Sequence, residues 1–251
     1  MPADVARIAL LGGILALDRT AGWNLMLGQP LVGACLAGAF INPGPQWELW
    51  ALRIPLGIGV LLQLLLTDAS LPAAQRPRDV ATAGVIGTSV ALIGMQRLHP
   101  TFPISTGGLL WVVVGTVAGL VASVPGGWYE VAMRARNESR LKRADEYARQ
   151  GKLAKFEALY WGSVVRATLR GAIWSVAGTT LGIACVTAVL PRVAWAITGP
   201  RIGLAFAVLL GVAFGSAFHA HVRGRAHGLR WAVAGAATAL VLMLRLGGFA
   251  P

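Results

Sequence analysis

Long, uninterrupted apolar stretches dominate this chain, and their length matches the thickness of a bilayer. A helix needs about 20 mostly apolar residues to cross a hydrocarbon core about 30 Å thick. The stretches 49–66, 80–95, 107–124, 159–190, 202–218 and 231–246 meet or approach that length. They are continuous rather than alternating, which excludes a membrane β-barrel, whose strands alternate apolar and polar residues. Only 13% of the 251 residues are charged and 56% are hydrophobic. Soluble domains carry roughly a quarter charged residues, and disordered chains are poor in hydrophobic ones. The expected fold is therefore all-α: one polytopic membrane helix bundle comprising residues 1–251, with no soluble domain or linker.

Two further apolar pieces near the N-terminus, Ile8 to Leu17 and Leu31 to Ile41, are too short to span comfortably. Short segments broken by Gly, Pro and polar residues are what re-entrant or discontinuous helices look like in transporters. The first piece also has the length of a signal-peptide core, with Arg7 before it. Asp18-Arg19 follows at once and the small-residue cleavage pattern is poor, so it reads as part of the mature protein.

The net charge of +12 is explained by topology. Basic residues of membrane proteins collect in cytoplasmic loops, and here they are interleaved with acids and adjoin spans, so no nucleic-acid partner is expected. Between Arg134 and Glu157 stand eight basic residues and four acids, with Leu141, Ala144, Ala148 and Phe156 at roughly helical spacing. That pattern predicts an amphipathic cytoplasmic helix on the membrane surface, held against anionic lipid. A second basic loop, His219 to Arg230, lies two spans later and so on the same side. Cys35 and Cys185 fall in apolar stretches and read as small buried hydrophobes. Gly115 and Gly119 have the spacing that lets helices approach closely within one bundle.

An ionisable or amide group among apolar residues is a candidate site, because leaving it unsatisfied in hydrocarbon is costly. Asp18 and Arg19, between the two short pieces, form a possible neutralised pair; Asn24 and Gln29 follow, just before Pro30. Such residues accept from and donate to hydroxyls. Spacing alone favours a solvated connecting loop there. Gln63 sits in the apolar run 60–66 and is either interhelical glue or a ligand contact. Asp79 adjoins Arg76 and Arg78 and reads on spacing as a surface ion pair. Arg166 and Arg170 open the long run 159–190. His219, His221 and His227 lack a nearby carboxylate or cysteine and make a poor metal set. No nucleophile elbow, phosphate loop or metalloprotease motif is present, so no catalytic residue is expected.

The segment Leu17-Asp-Arg-Thr-Ala-Gly-Trp-Asn-Leu-Met-Leu-Gly-Gln-Pro-Leu-Val32 resembles the N-terminal signature of the IIC permease of mannose-type sugar phosphotransferase systems. Asp18, Arg19, Pro30 and Leu31 match its L-D-R and R-P-L elements; Gln29 replaces the usual basic residue, and Asn42-Pro43 stands where the family often has Gly-Asp. Ile58-Gly-Val-Leu-Leu-Gln63 is similar to the family's I-G-G-x-L-E, with Gln63 in place of the usual glutamate. Leu71-Pro-Ala-Ala-Gln-Arg-Pro-Arg-Asp79 resembles its L-P-x-G-A…P-P-D loop, with Pro72 and Asp79 retained and the glycine lost. Ala144-Asp145, Ala148, Gly151 and Leu153 resemble its A-D-x-x-A-x-x-G-x-L helix. The motifs are individually weak, but they follow in the same order over most of the chain.

The resemblance implies a multi-pass subunit of the bacterial inner membrane. It would pair with a IID membrane subunit, in a homo-oligomer of IIC–IID units, and carry a hexose. Soluble IIB, rephosphorylated by IIA, would then phosphorylate the sugar, so that IIC itself needs no cofactor and no catalytic residue. Asp18, Arg19, Asn24, Gln29, Gln63 and Asp79 are the substrate-binding candidates this implies. The amide at Gln63 is a weaker acceptor than a carboxylate. It leaves open a diverged scaffold or sensor that has lost transport. An intramembrane enzyme built on the 219–227 histidines is the remaining alternative.

Overall fold

The computed structural model describes residues 2–20, 27–41, 48–66, 79–98 and 104–221. Among these it is all-α. Seven helices follow in order: α1 (Pro2–Thr20), α2 (Pro30–Phe40), α3 (Glu48–Leu65), α4 (Val80–Leu98), α5 (Ile104–Arg149), α6 (Leu153–Val189) and α7 (Gly199–His221), with a 3-10 segment, Leu190–Ala196, between the last two. The apolar stretch 231–246 and the His227 loop lie outside the described residues.

α4 is the central helix. Its neighbours are α1, α2, α3, α5 and α6, and most of its 19 residues are buried. Its small residues make this possible: a Cβ added at Gly115 of α5 would sit 2.7 Å from the Gly87 carbonyl oxygen of α4. α1 and α6 meet in the same manner, since a Cβ at Gly12 would lie 2.6 Å from the carbonyl oxygen of Gly171. Close backbone approach is how helices gain dispersion contacts where lipid is as apolar as leucine. α7 packs on α3 and α5.

Around the apolar core, large apolar side chains also face outward and several polar ones are buried. Leu52, Leu56, Val121, Ile173, Leu181 and Phe214 are exposed, whereas Thr82, Thr88, Ser89, Thr116, Ser123, Glu130, Arg170 and Ser175 are buried. Large apolar surface facing outward marks a membrane or partner surface. Among the described residues, three helical stretches are long and apolar enough to cross a membrane: Gly108–Arg149, Leu153–Trp195 and Gly199–Ala217. Several buried hydroxyls return to their own helix, such as Ser89 to the Val85 carbonyl (2.7 Å) and Thr116 to the Val112 carbonyl (2.7 Å). Such bonds let a polar residue sit in an apolar bundle.

Several boundaries differ from those expected. α1 is one helix of 19 residues rather than a ten-residue piece, because Pro2 to Arg7 and Asp18 to Thr20 continue it at both ends. α2 is short as expected: 11 residues reach only about 16 Å, half the hydrocarbon core. The stretch 134–157 is helical but is not a helix of its own. Its first part is the continuation of α5, which runs unbroken for 46 residues, and its last part opens α6. Gly151, at φ 67°, makes the turn between them, a left-handed conformation that glycine adopts at little cost. Cys35 and Cys185 are exposed rather than buried. An apolar helix in a membrane chain has two apolar destinations, the core and the lipid, and composition does not separate them.

Candidate functional site

The two N-terminal pieces are joined by a carboxylate. Asp18, buried near the end of α1, accepts a hydrogen bond from the Gly28 N–H (2.9 Å). The C-terminal end of a helix repels an anion, so the Gly28 backbone donor offsets an unfavourable position. Gln29 follows directly. It caps α2 with extended backbone (ψ 141°) and makes no side-chain capping bond, while its carbonyl accepts the Gly33 N–H (2.9 Å). Gln29 is half-buried. Asn24 lies outside the described residues; Arg19 belongs to α1, and its side chain is not described.

Gln63 reaches the same region from α3. Gly59 packs on Leu31 and Ala34 of α2, where its Cβ would lie 2.9 Å from the Leu31 Cα. One turn on, half-buried Gln63 stands near the N-terminal end of α2. α4 approaches from another side: a Cβ at Gly84 would lie 2.9 Å from the Ala34 nitrogen, and one at Gly33 would lie 3.3 Å from the Ala81 carbonyl oxygen. Asp18 and Gln29 thus flank the N-terminal end of α2, Gln63 stands one turn beyond the Gly59 that packs there, and Asp79 opens α4, which also packs on α2.

Asp79 departs from the expected surface ion pair with Arg76 and Arg78, two residues outside the described part. It is only 1% exposed and pairs with Arg170 of α6 at 3.2 Å. One carboxylate oxygen accepts from Arg170 Nη2; the other accepts the Thr82 N–H (3.2 Å), capping α4. The Asp79 N–H donates to the Ser123 carbonyl of α5 (2.8 Å). Gly126 of α5 closes over the pair, since a Cβ there would lie 2.7 Å from both the Asp79 Cβ and Trp174 Nε1. One aspartate thus ties α4, α5 and α6. With both oxygens engaged, it holds the framework of the site rather than offering a free acceptor to a ligand.

Sequence reasoning noted Arg170 but did not pair it, and it missed Glu130, which is 1% exposed on α5 one turn beyond Gly126. The available signal was a lone acid after Pro125-Gly126-Gly127, between an apolar span and a basic stretch. No group of three or more metal-ligating side chains occurs among the described residues. An apolar groove of about 500 Å³ between α5 and α6, walled by Val117, Val121, Leu181 and Val189 among others, suits acyl chains rather than a hydroxylated solute. No family model, no curated protein and no solved structure matches the chain.

Proposed function

We propose that the chain is the IIC-type permease subunit of a mannose-type sugar phosphotransferase system, binding a hexose for transfer across the membrane and for phosphorylation by partner subunits. The observation that supports this reading is that Asp18 and Gln29 stand at the N-terminus of α2, with Gln63 one turn beyond the Gly59 that packs there. These are positions at which separate family-like motifs fall, 34 residues apart between Gln29 and Gln63. A half-crossing helix flanked by acceptors and donors is the arrangement in which transporters hold polar solutes near the midplane. Gln29 and Gln63 would donate to and accept from sugar hydroxyls, and Asp18 would accept. The Asp79–Arg170 pair would keep α4 and α6 in register behind them.

Uptake of labelled hexose tests this reading, in cells supplied with IIA, IIB and IID subunits. Gln63→Leu removes the amide and roughly keeps the volume. Losing one hydrogen bond to a bound hydroxyl costs about 1 kcal/mol, several-fold in affinity. Uptake at subsaturating sugar falls by that factor while the amount of protein in the membrane holds. A wild-type chain that supports no uptake of any hexose favours the second reading, a non-transporting scaffold, for which the amide at Gln63 is the supporting feature.

A further inference from the structure

Beyond the bundle, α5 and α6 continue as two antiparallel arms that meet at the Gly151 turn. Near the turn, Lys155 Nζ lies 5.7 Å from the centre of the Tyr147 ring and ties one arm to the other. Farther from the turn a cavity of about 200 Å³ opens between the arms. Its wall is mainly apolar, with Ala144 contributed by α5 and Phe156 and Leu159 by α6. Asn137, Arg140 and Ser163 line it as well. The Ser163 hydroxyl donates to the Tyr160 carbonyl (2.6 Å), so the side-chain donors left at the cavity are those of Asn137 and Arg140.

Arg140 is the one charged side chain among these. Within the described residues its only hydrogen bond is a long one to Asn137 Oδ1 (3.4 Å), and no carboxylate lies within ion-pair distance of it. The other guanidinium N–H groups and the Asn137 amide N–H groups are not sealed off from solvent. They are open donors beside an apolar wall. A guanidinium matches a carboxylate through two parallel N–H···O bonds. Phe156 and Leu159 contribute most when apolar surface covers them. A small carboxylate that carries a ring or a short alkyl chain meets both conditions. The volume equals about seven water molecules of liquid, which suits one ring or a chain of several carbons and is too small for a lipid. An inorganic anion would leave the apolar wall uncovered, and a sugar would press unpaired hydroxyls against it.

We propose that the cavity between the arms binds a small amphipathic carboxylate, with its charged group on Arg140 and Asn137 and its ring or chain against Ala144, Phe156 and Leu159. None of these residues belongs to α2 or α3, and the proposal stands whether or not the chain carries sugar.

The test uses the full-length protein in detergent. Benzoate and hexanoate are titrated by calorimetry at matched ionic strength, with benzamide and hexanamide as neutral controls. Partition into the micelle favours the amides, so a preference for the carboxylate reports the protein. One saturable equivalent is expected from at least one carboxylate and from neither amide. Arg140→Gln weakens it about tenfold or more, because a charge-assisted bond is lost. Ala144→Leu fills the cavity from the α5 side and abolishes it. Lys142→Gln, on the exposed face of the same arm, leaves it unchanged. Both binding variants are compared with the parent by size-exclusion elution, so that a loss of binding is read only on folded protein. Absence of saturable binding by either carboxylate overturns the proposal. So does equal binding of an amide, binding that survives Ala144→Leu, or a loss with Lys142→Gln as large as with Arg140→Gln.

Discussion

Removing Arg170 leaves the Asp79 carboxylate buried with one of its two donors gone. The pair is 3.2 Å apart and its side chains are 4% and 1% exposed, so water cannot replace the lost partner. Breaking such a pair from one side costs about 3–5 kcal/mol, whereas replacing both members by apolar groups is often close to neutral. Arg170→Ala should therefore destabilise the protein by about 3–5 kcal/mol, and Asp79→Leu combined with Arg170→Met should recover most of it. At 2–4 °C per kcal/mol for a chain of this size, the single variant melts roughly 6–20 °C lower. The assay is thermal unfolding in detergent followed by tryptophan fluorescence, with size-exclusion recovery as a second probe. The capping bond from Thr82 limits the recovery, because Asp79→Leu also uncaps α4 at a cost of about 1 kcal/mol. A double variant that loses the sum of the two single losses would show that the two residues do not interact, and the α4–α5–α6 tie would have to be abandoned.

Two further outcomes follow from the packing and the topology. Gly12→Leu places a side chain against the Gly171 carbonyl and Ser175, and should destabilise by about 1–3 kcal/mol, read as a lower melting temperature; Gly199→Ala, at an open position, should change it by less than about 0.5 kcal/mol. In a chain with Cys35 and Cys185 replaced, a cysteine at position 145 should be labelled by an impermeant reagent only after the cells are opened, because basic loops of membrane proteins collect on the cytoplasmic side.

Apolar runs of bilayer length were enough to read the helical class, and Pro30 with the brevity of 31–41 was enough to read α2 as a helix too short to span. Those features follow from length and hydropathy alone. The 134–157 stretch was legible as helical, but not as the arms of a hairpin. Charge and periodicity are the same for a separate surface helix and for two extended ones, and only the left-handed Gly151 marks the turn. Asp79 was legible as a candidate and misassigned, because its neighbours in sequence, Arg76 and Arg78, hid its partner 91 positions away. The exposed cysteines failed for another reason: hydropathy cannot distinguish a core from lipid.

The central claim is that a hexose sits at the start of α2. Protection from chemical labelling tests it most directly. Leu27→Cys, in a chain lacking the two native cysteines, puts a half-buried thiol two residues before Gln29. A saturable slowing of maleimide labelling by one hexose at position 27, with no change at an exposed cysteine placed at position 199, is the predicted result. Labelling at position 27 that no hexose alters would contradict the account.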